Sequence, residues 1–455
     1  MHLSEAAVLL AGELTGEDVS FSGVSTDTRS LTAGELFIAL QGPHFDGHHF
    51  VANACEQGAA GALVSHFTED ALPQVQVADT RIALGRLSAA WQKRFSGTVI
   101  ALTGSNGKTT VKEMIRSVLA VKHTVLATKG NLNNDIGVPL TLSRLGDESF
   151  AVIEMGANHQ GEIAYLCQLA QPDVTLITNA GPAHLEGFGG LDGVAKGKGE
   201  IFQGLGSQGT AVVNRDDVYA DYWINLIGER RFIDFGLSQP AQVQGRIIDA
   251  SCNRIQLTFE SQSVTFELPL PGEHNVRNAL AAAAVGLAVG IPLTDIQQGL
   301  LKSKAVGGRL QRFAGQQGCT VIHDAYNANP SSLAAALTTV GAANTAKWLV
   351  LGDMAELGAQ AKACHREAGI QAREAGFQRC YGLGPLSRHA VTGFGQGGVH
   401  CETVENLIET LREAVANVAS KPTLLIKGSR SMRMEQVVEA LVETTSPLAN
   451  VGRNI

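Results

Sequence analysis

A chain of 455 residues, 44% hydrophobic and 17% charged, with few aromatics and 51 glycines, has the size of about three globular domains and the composition of Ala-rich helices joined to strands by glycine turns. Its net charge of −8 and scattered Lys and Arg residues argue against a nucleic-acid partner, while the Ala-rich run 279–293, interrupted by Gly286, Gly290 and Pro292, is too short for a membrane span and reads as one buried helix. Seven widely spaced cysteines (Cys55, Cys167, Cys252, Cys319, Cys364, Cys380 and Cys401), with no Cys-x-x-Cys pair, argue against a disulfide framework or structural zinc and read as reduced core thiols.

The N-terminus carries Glu5 and lacks a basic, then apolar, then small-residue order, so no signal peptide is expected and the cytoplasm is the expected compartment. Residues 1–84 hold short apolar runs at 35–40, 61–64 and 75–77 broken by turn residues, the pattern of a small α/β recognition domain. From residue 98 the pattern becomes strand and helix in alternation. Runs at 98–102, 151–155, 174–179 and 210–214 predict buried strands of a mostly parallel sheet in a domain spanning 85–313. A hairpin follows, with Ile255, Leu257 and Phe259 alternating on one arm and Val264, Phe266 and Leu268 on the other, before an Ala-rich helix beginning near Asn275. A new series at 320–322, 348–351, 379–383 and 423–426 predicts a doubly wound, Rossmann-like third domain over 314–455. The fold class is therefore α/β in three domains, without an internal repeat.

Thr103-Gly104-Ser105-Asn106-Gly107-Lys108-Thr109-Thr110 lies between a strand run and a helix whose apolar positions Val111, Met114, Ile115, Val118 and Leu119 share one face. Two glycines let backbone N–H groups approach phosphate oxygens, the helix start adds partial positive charge, and Lys108 adds a full one. Thr109 or Thr110 can hold Mg²⁺ through its hydroxyl. The standard phosphate loop begins with Gly where this chain has Leu102, so the loop is a shortened form, unlike that of an ordinary switch or motor NTPase.

Glu154 ends a predicted buried strand, at the sheet edge where ligands collect in open α/β folds, and is a candidate Mg²⁺ ligand. The loop after the next strand brings His184 to the same edge, as a second ligand or as an ordinary loop histidine. Lys198 shares a helical stripe with Leu191, Val194, Ile201 and Leu205, whereas Lys196 lies off it. A lysine there either snorkels past the core or changes its charge; adding CO₂ to its amine would make a carbamate anion suited to Mg²⁺. Asn275 and Asn278, at the start of the Ala-rich helix, are placed to bond an adenine edge or simply to cap the helix. Arg309 after Gly308, and Asp324 and Tyr326 at a strand end, offer a phosphate clamp, a ribose carboxylate and a stacking ring from beyond the loop domain. A site shared between domains implies closure around substrate.

Together these runs resemble the Mur ligases over nearly the whole chain. Residues 24–29 and 37–42 with Phe45-Asp46-Gly47-His48 look like that family's uridine-nucleotide domain, so Ser25, Asp27, Arg29, Gly42, Phe45, Asp46 and His48 are expected to meet the UDP substrate. The runs 131–139, 154–163, 352–358 and 427–430 are similar to the member that accepts D-alanyl-D-alanine, and Asn133 and Asn134 in the first of them are further expected substrate contacts. By the resemblance, residues 103–110 bind ATP; Thr109, Glu154, His184 and carbamylated Lys198 hold magnesium; and Asn275, Asn278, Arg309, Asp324 and Tyr326 meet the nucleotide. One departure is Gly307, where the family usually has Pro before Gly-Arg; the Asp-Asn-Pro-Arg signature of the member that adds the third stem residue is absent.

The resemblance implies that ATP phosphorylates the terminal carboxylate of UDP-N-acetylmuramoyl-tripeptide and that the amine of D-Ala-D-Ala displaces phosphate from the acyl phosphate, in cytoplasmic peptidoglycan precursor synthesis, with a monomer as the default state. Bringing a carboxylate to a triphosphate requires positive charge between them, the role expected of Lys108 and Mg²⁺. Two other readings compete: a folylpolyglutamate synthase, which would leave residues 1–84 without a role, and a slow ATP-hydrolysing switch that signals by closure.

Overall fold

The computed structural model of the protein describes residues 1–249, 253–341 and 345–443; Cys252 lies outside them. Three large sheets follow one another along the chain, giving three mixed α/β domains with mostly parallel strands, and a two-stranded hairpin, Gln41–Gly42 with Phe45–Asp46, stands in the first domain. The first orders its strands Glu13–Thr15, Gln74–Gln76, Gly61–Val64, Leu36–Ile38, Val24–Ser25, with only the first pair antiparallel.

The middle sheet has nine strands. Thr98–Thr103 lies at its heart, between Phe150–Glu154 and Val174–Ile177, all parallel. Alternation along this strand sends Val99 and Ala101 to one face and Ile100 and Leu102 to the other, and both faces are buried, as a parallel sheet covered by helices on each side requires. The first face is covered by helices Glu162–Ala170, Leu191–Gln203 and Ala220–Ile227, the second by Lys108–Leu119, Glu273–Ala288 and Leu293–Leu301. The expected hairpin forms with Leu257 opposite Val264 and extends the far edge of this same sheet through Val243–Ile247. The Ala-rich run is a buried helix as far as Ala288; Gly290, in the left-handed region, and Pro292, which has no N–H to donate, end it, and the next helix starts at Leu293.

In the third sheet Gln311–Ala314 runs antiparallel to Thr320–Asp324, followed by Thr423–Lys427, Lys347–Gly352, Arg379–Leu383 and Gly398–Cys401, all parallel. The expected division at 313 falls inside its first strand. The division at 84 falls inside helix Thr80–Gln92, whose Ala83, Leu84 and Leu87 pack into the first domain while the helix also touches Gly137–Leu142 and Glu162–Ala170 of the second. Apolar periodicity marks a face, not the point where a helix passes between two cores. One apolar cluster of the middle sheet continues into Ile322, Leu333 and Leu349 of the third domain, so the two domains share packed surface. The six described cysteines are free; Cys55 is exposed, Cys364 half-buried and the other four buried.

Candidate functional site

Parallel pairing in register sets Glu154 beside Leu102, so the turn after the central strand and the end of its neighbour meet at the carboxyl edge of the middle sheet. Gly104 and Gly107 adopt φ of +151° and +81°. A Cβ at Gly104 would lie 1.8 Å from Thr178 Oγ1, and one at Gly107 2.5 Å from Asn278 Oδ1, so only glycine makes this turn. Helix Lys108–Leu119 starts immediately after it. Lys108 Nζ donates to Gly104 O at 2.7 Å, folding the ammonium over the loop. Burial pulls its pKa down; Glu154 opposes that and Arg309 reinforces it.

Glu154 is 2% exposed. Its Oε1 accepts from Asn133 Nδ2 at 2.8 Å and from Thr109 Oγ1 at 3.3 Å, while Oε2 is buried without a partner among the described residues. A buried carboxylate oxygen left unpaired is costly, and with a threonine hydroxyl beside it and a lysine close by it fits a hard divalent cation shared with phosphate oxygens. No three His, Cys, Asp or Glu side chains come together to hold a metal among the described residues, this edge included, so a cation here would be held by few protein ligands and by its phosphate partner. His184, in the left-handed region at φ +55°, turns its Nδ1 onto the Glu356 carboxylate of the third domain, and that pairing pulls the Glu356 pKa down.

Lys198 is 1% exposed, which removes the snorkelling alternative. Of its stripe Val194, Ile201 and Leu205 are buried, but Leu191 is 38% exposed because it opens the helix. Among the described residues its Nζ has no carboxylate or hydrogen-bond acceptor; it lies over the Phe188 ring, 5.6 Å from the centroid. Burial drives its pKa far down, and the positive charge of Lys108 adds to this, easing loss of the proton from the ammonium.

The third domain completes the site. Arg309 donates to Thr109 Oγ1 at 3.0 Å and covers the Tyr326 ring at 4.5 Å, leaving its buried Nε unpaired. Asp324 is held by Lys427 Nζ at 2.6 Å, a pairing set by the register of their strands and missed in the sequence, where Lys427 read only as part of a motif. Asn275 donates to Pro271 O at 2.8 Å and its Oδ1 accepts from Asn278 Nδ2, so the two asparagines brace the helix start beside Gly107. His274 next to them carries no local signal in the sequence; burial lowers its pKa, keeping it neutral in the cleft wall. Loop residues 105–108, Glu154, His184, Asn275, Asn278, Arg309, Asp324 and Tyr326 all line one cleft of about 1240 Å³, with Asn133, Asn134 and Arg81 along another stretch of its wall. Arg81 pairs with Asp135 and ties the first domain to that wall.

The first-domain candidates stand apart from this cleft. Gly42, Phe45 and Asp46 line a shallow pocket of about 630 Å³, and half-exposed Phe45 stacks on Phe50 with centroids 5.4 Å apart. Both nitrogens of buried His48 are engaged: Ser65 N–H donates to Nε2 at 2.9 Å, which leaves the proton on Nδ1 to be donated to Asp46 Oδ1 at 2.6 Å. His48 thus orients Asp46 and the hairpin. Arg29 embraces the Asp27 carboxylate, with Nη2 at 2.7 Å from Oδ2, and Ser25 Oγ donates to Asp27 O at 3.0 Å.

Family models match the chain in three stretches: the Mur ligase family catalytic domain over 20–92, the Mur ligase middle domain over 102–286, and the Mur ligase glutamate ligase domain over 308–430. UDP-N-acetylmuramoyl-tripeptide--D-alanyl-D-alanine ligase of Escherichia coli (strain K12) is 44% identical across 97% of this chain and 98% of its own. The enzyme of the same name from Bacillus subtilis (strain 168) is 36% identical over 95% of both. Among solved structures, MurF from Acinetobacter baumannii has a TM-score of 0.90 at 35% identity, covering 97% of this chain and 98% of that one. MurF ligase from Thermotoga maritima in complex with ADP has 0.79 at 26%, covering 92% and 96%. A Mycobacterium tuberculosis folylpolyglutamate synthase shares the fold alone, with a TM-score of 0.64 at 17% identity over 81% of this chain and 96% of that one.

Proposed function

The chain belongs to the Mur ligase family, and on that premise we infer that it is the ATP-dependent ligase that joins D-alanyl-D-alanine to UDP-N-acetylmuramoyl-tripeptide. The products are UDP-N-acetylmuramoyl-pentapeptide, ADP and phosphate, and the step belongs to peptidoglycan precursor synthesis. The observation that carries this reading is the unpaired, buried Glu154 oxygen beside a lysine-bearing phosphate loop, with Arg309 of another domain reaching the same threonine.

The chemistry follows from charge. The tripeptide carboxylate must attack the γ-phosphorus of ATP although both are anionic. Backbone N–H groups of the loop, the start of helix Lys108–Leu119, Lys108 and Arg309 lower that repulsion and hold the leaving ADP. Thr109 and Glu154 would hold Mg²⁺, which when bound neutralises phosphate charge, with His184 as a third ligand once it leaves Glu356. The acyl phosphate so formed is attacked by the neutral amine of D-Ala-D-Ala, the new amide forms, and phosphate departs. Closure of the third domain keeps water from the acyl phosphate.

For Lys198 the reading is carbamylation: a buried, neutral amine adds CO₂ and loses a proton, and the resulting anion sits in the field of the Lys108 charge that disfavoured the ammonium. Asn275, Asn278, Asp324 and Tyr326 would meet the nucleoside, while Ser25, Asp27, Arg29, Gly42, Phe45 and Asp46, with Asn133 and Asn134, would meet the UDP-tripeptide. We place the domain divisions near residue 84 and just ahead of residue 308 rather than at 313, since the matched glutamate ligase stretch starts there and carries Arg309. No described helix is long and apolar enough to cross a membrane; the reading itself places the enzyme in the cytoplasm as a monomer.

Phosphate release is the test. It should depend strictly on both UDP-tripeptide and D-Ala-D-Ala, with single amino acids inactive as acceptors; release without the dipeptide would turn the reading toward a slow ATPase, and use of a single amino acid toward another ligase.

A further inference from the structure

In a phosphate loop the residue before Gly-Lys is needed only for its backbone, and its side chain is free to vary. Here that residue, Asn106, has every polar group committed. Its N–H donates to Asn179 Oδ1 at 3.0 Å, and its C=O accepts from Thr178 Oγ1 at 2.7 Å and Asn179 Nδ2 at 3.2 Å, which fixes the loop to the end of the neighbouring strand. The side chain reaches the third domain: Nδ2 donates to Ser331 Oγ at 2.8 Å and Oδ1 accepts from Asn329 Nδ2 at 2.8 Å. Ser331 Oγ donates in turn to Asn329 Oδ1 at 3.1 Å, closing a ring in which each donor faces an acceptor.

The far side of this ring is a helix start. Asn329 Oδ1 also accepts from Ser332 N–H at 2.8 Å, capping the helix Pro330–Gly341, and Pro330 occupies the first helical position. The cap fixes the Asn329 side chain, so its amide nitrogen is aimed before the domains meet. A Cβ at Gly181 would lie 3.1 Å from Ser331 Oγ and 3.4 Å from Asn106 Nδ2, so this glycine keeps open the space in which they meet. All three ring residues line the cleft.

We propose that Asn106 is a positioning residue that couples the shape of the phosphate loop to docking of the third domain. The third domain finds both partners on Asn106 only while Thr178 and Asn179 hold the loop in its phosphate-receiving form, and docking then sets Arg309 against Thr109. Asn106 touches neither reacting atom; it acts through the loop backbone and through the 329–331 turn. The inference rests on the nucleotide-binding reading given above and adds to it the signal by which an occupied loop is reported to the domain that closes.

A double-mutant cycle in the full-length chain tests this. Phosphate release is measured alongside ADP affinity and the ADP-induced fall in radius of gyration by small-angle X-ray scattering. Asn106→Ala and Ser331→Ala should each lower kcat about ten-fold and weaken ADP-induced compaction, and the double variant should lose no more than the worse single one, the signature of a shared interaction. Ser331→Thr, which keeps the hydroxyl, should retain both properties. Ser331 is chosen over Asn329 because its truncation leaves the helix cap in place, so a folding defect in one variant does not decide the outcome. Additive losses, or full compaction by Asn106→Ala, would overturn the coupling while leaving the ligase reading intact. Failure of the unmutated chain to bind ADP would instead overturn the ligase reading and the coupling with it.

Discussion

The phosphate-loop edge of the middle sheet and the hairpin edge of the first domain are both expected to meet phosphate-bearing substrates, yet they are built in opposite ways. At the loop, charged side chains are buried and incompletely paired: Glu154 keeps an unsatisfied oxygen, Arg309 an unsatisfied nitrogen and Lys198 an amine without an acceptor. At the hairpin Asp46 is satisfied by His48 and Gln41, as Asp27 is by Arg29 in the turn after Val24–Ser25, and the half-exposed Phe45 ring stands beside exposed Gln41, Pro43 and His44. Unsatisfied buried groups cost stability and are kept where a ligand will satisfy them. A transition-state site must be organised before its charges arrive, whereas an anchor needs only a shaped, wettable surface.

Lys108→Ala attacks that contrast hardest: turnover should fall by about a thousand-fold, with UDP-substrate affinity unchanged and the melting temperature close to that of the unmutated chain, because relief of a buried ammonium offsets loss of its hydrogen bond to Gly104 O and of its attraction to Glu154. Near-normal phosphate release by a folded Lys108→Ala variant would erase the distinction. Lys198→Ala should cost at least about a hundred-fold in kcat, with partial recovery in excess bicarbonate or a short-chain acid, and mass spectrometry of the unmutated protein should find the carbamate. An unmodified amine together with absence of rescue would leave Lys198 as a core lysine.

Phe45→Ala probes the other region. It should weaken binding of the UDP-tripeptide about ten-fold by calorimetry and leave ADP affinity as it was, since the ring stands in a separate pocket. Equal losses for both ligands would mean that the two regions are one site. The smallest effect is on acid stability. Hydrogen bonds from the His48 backbone and ring hold the Asp46 carboxyl well below its usual range, and the Arg29 side chain does the same, less strongly, for Asp27. A depressed folded pKa contributes stability that is complete above about pH 4 and is lost as pH falls through the folded value. Melting temperatures followed from about pH 5 to about pH 3 should therefore fall less for Asp46→Asn than for the unmutated chain; parallel curves would show that this carboxylate is not selectively stabilised by the fold.

Much of this was legible in the residues because local rules speak directly. The order strand, glycine turn, Gly-Lys-Thr and amphipathic helix can hardly fold otherwise, and Glu154 could be placed because it ends a buried strand next to that turn. Lys198 was found from its apolar stripe, although whether it reached solvent was not readable: four methylenes allow either answer until the surrounding helices are packed. His48 is expected at the UDP substrate by the family resemblance, but a histidine in a turn gives no sign of its partners, and Ser65, which occupies its second nitrogen, lies 17 residues away. The buried Ala-rich helix and its end were visible in the apolar run and in Gly290 and Pro292.

By itself the sequence determined the three α/β units, the phosphate loop and the sheet edge at which chemistry would gather, since backbone periodicity, glycine placement and one lysine act over a few residues. Only the tertiary structure decided which partners those groups meet: Asn106 with Asn329 and Ser331, Thr109 with Arg309, His184 with Glu356. These pairs join residues more than 150 positions apart, and their distances depend on how two separately folded domains dock, a property of packed surfaces that no local pattern encodes.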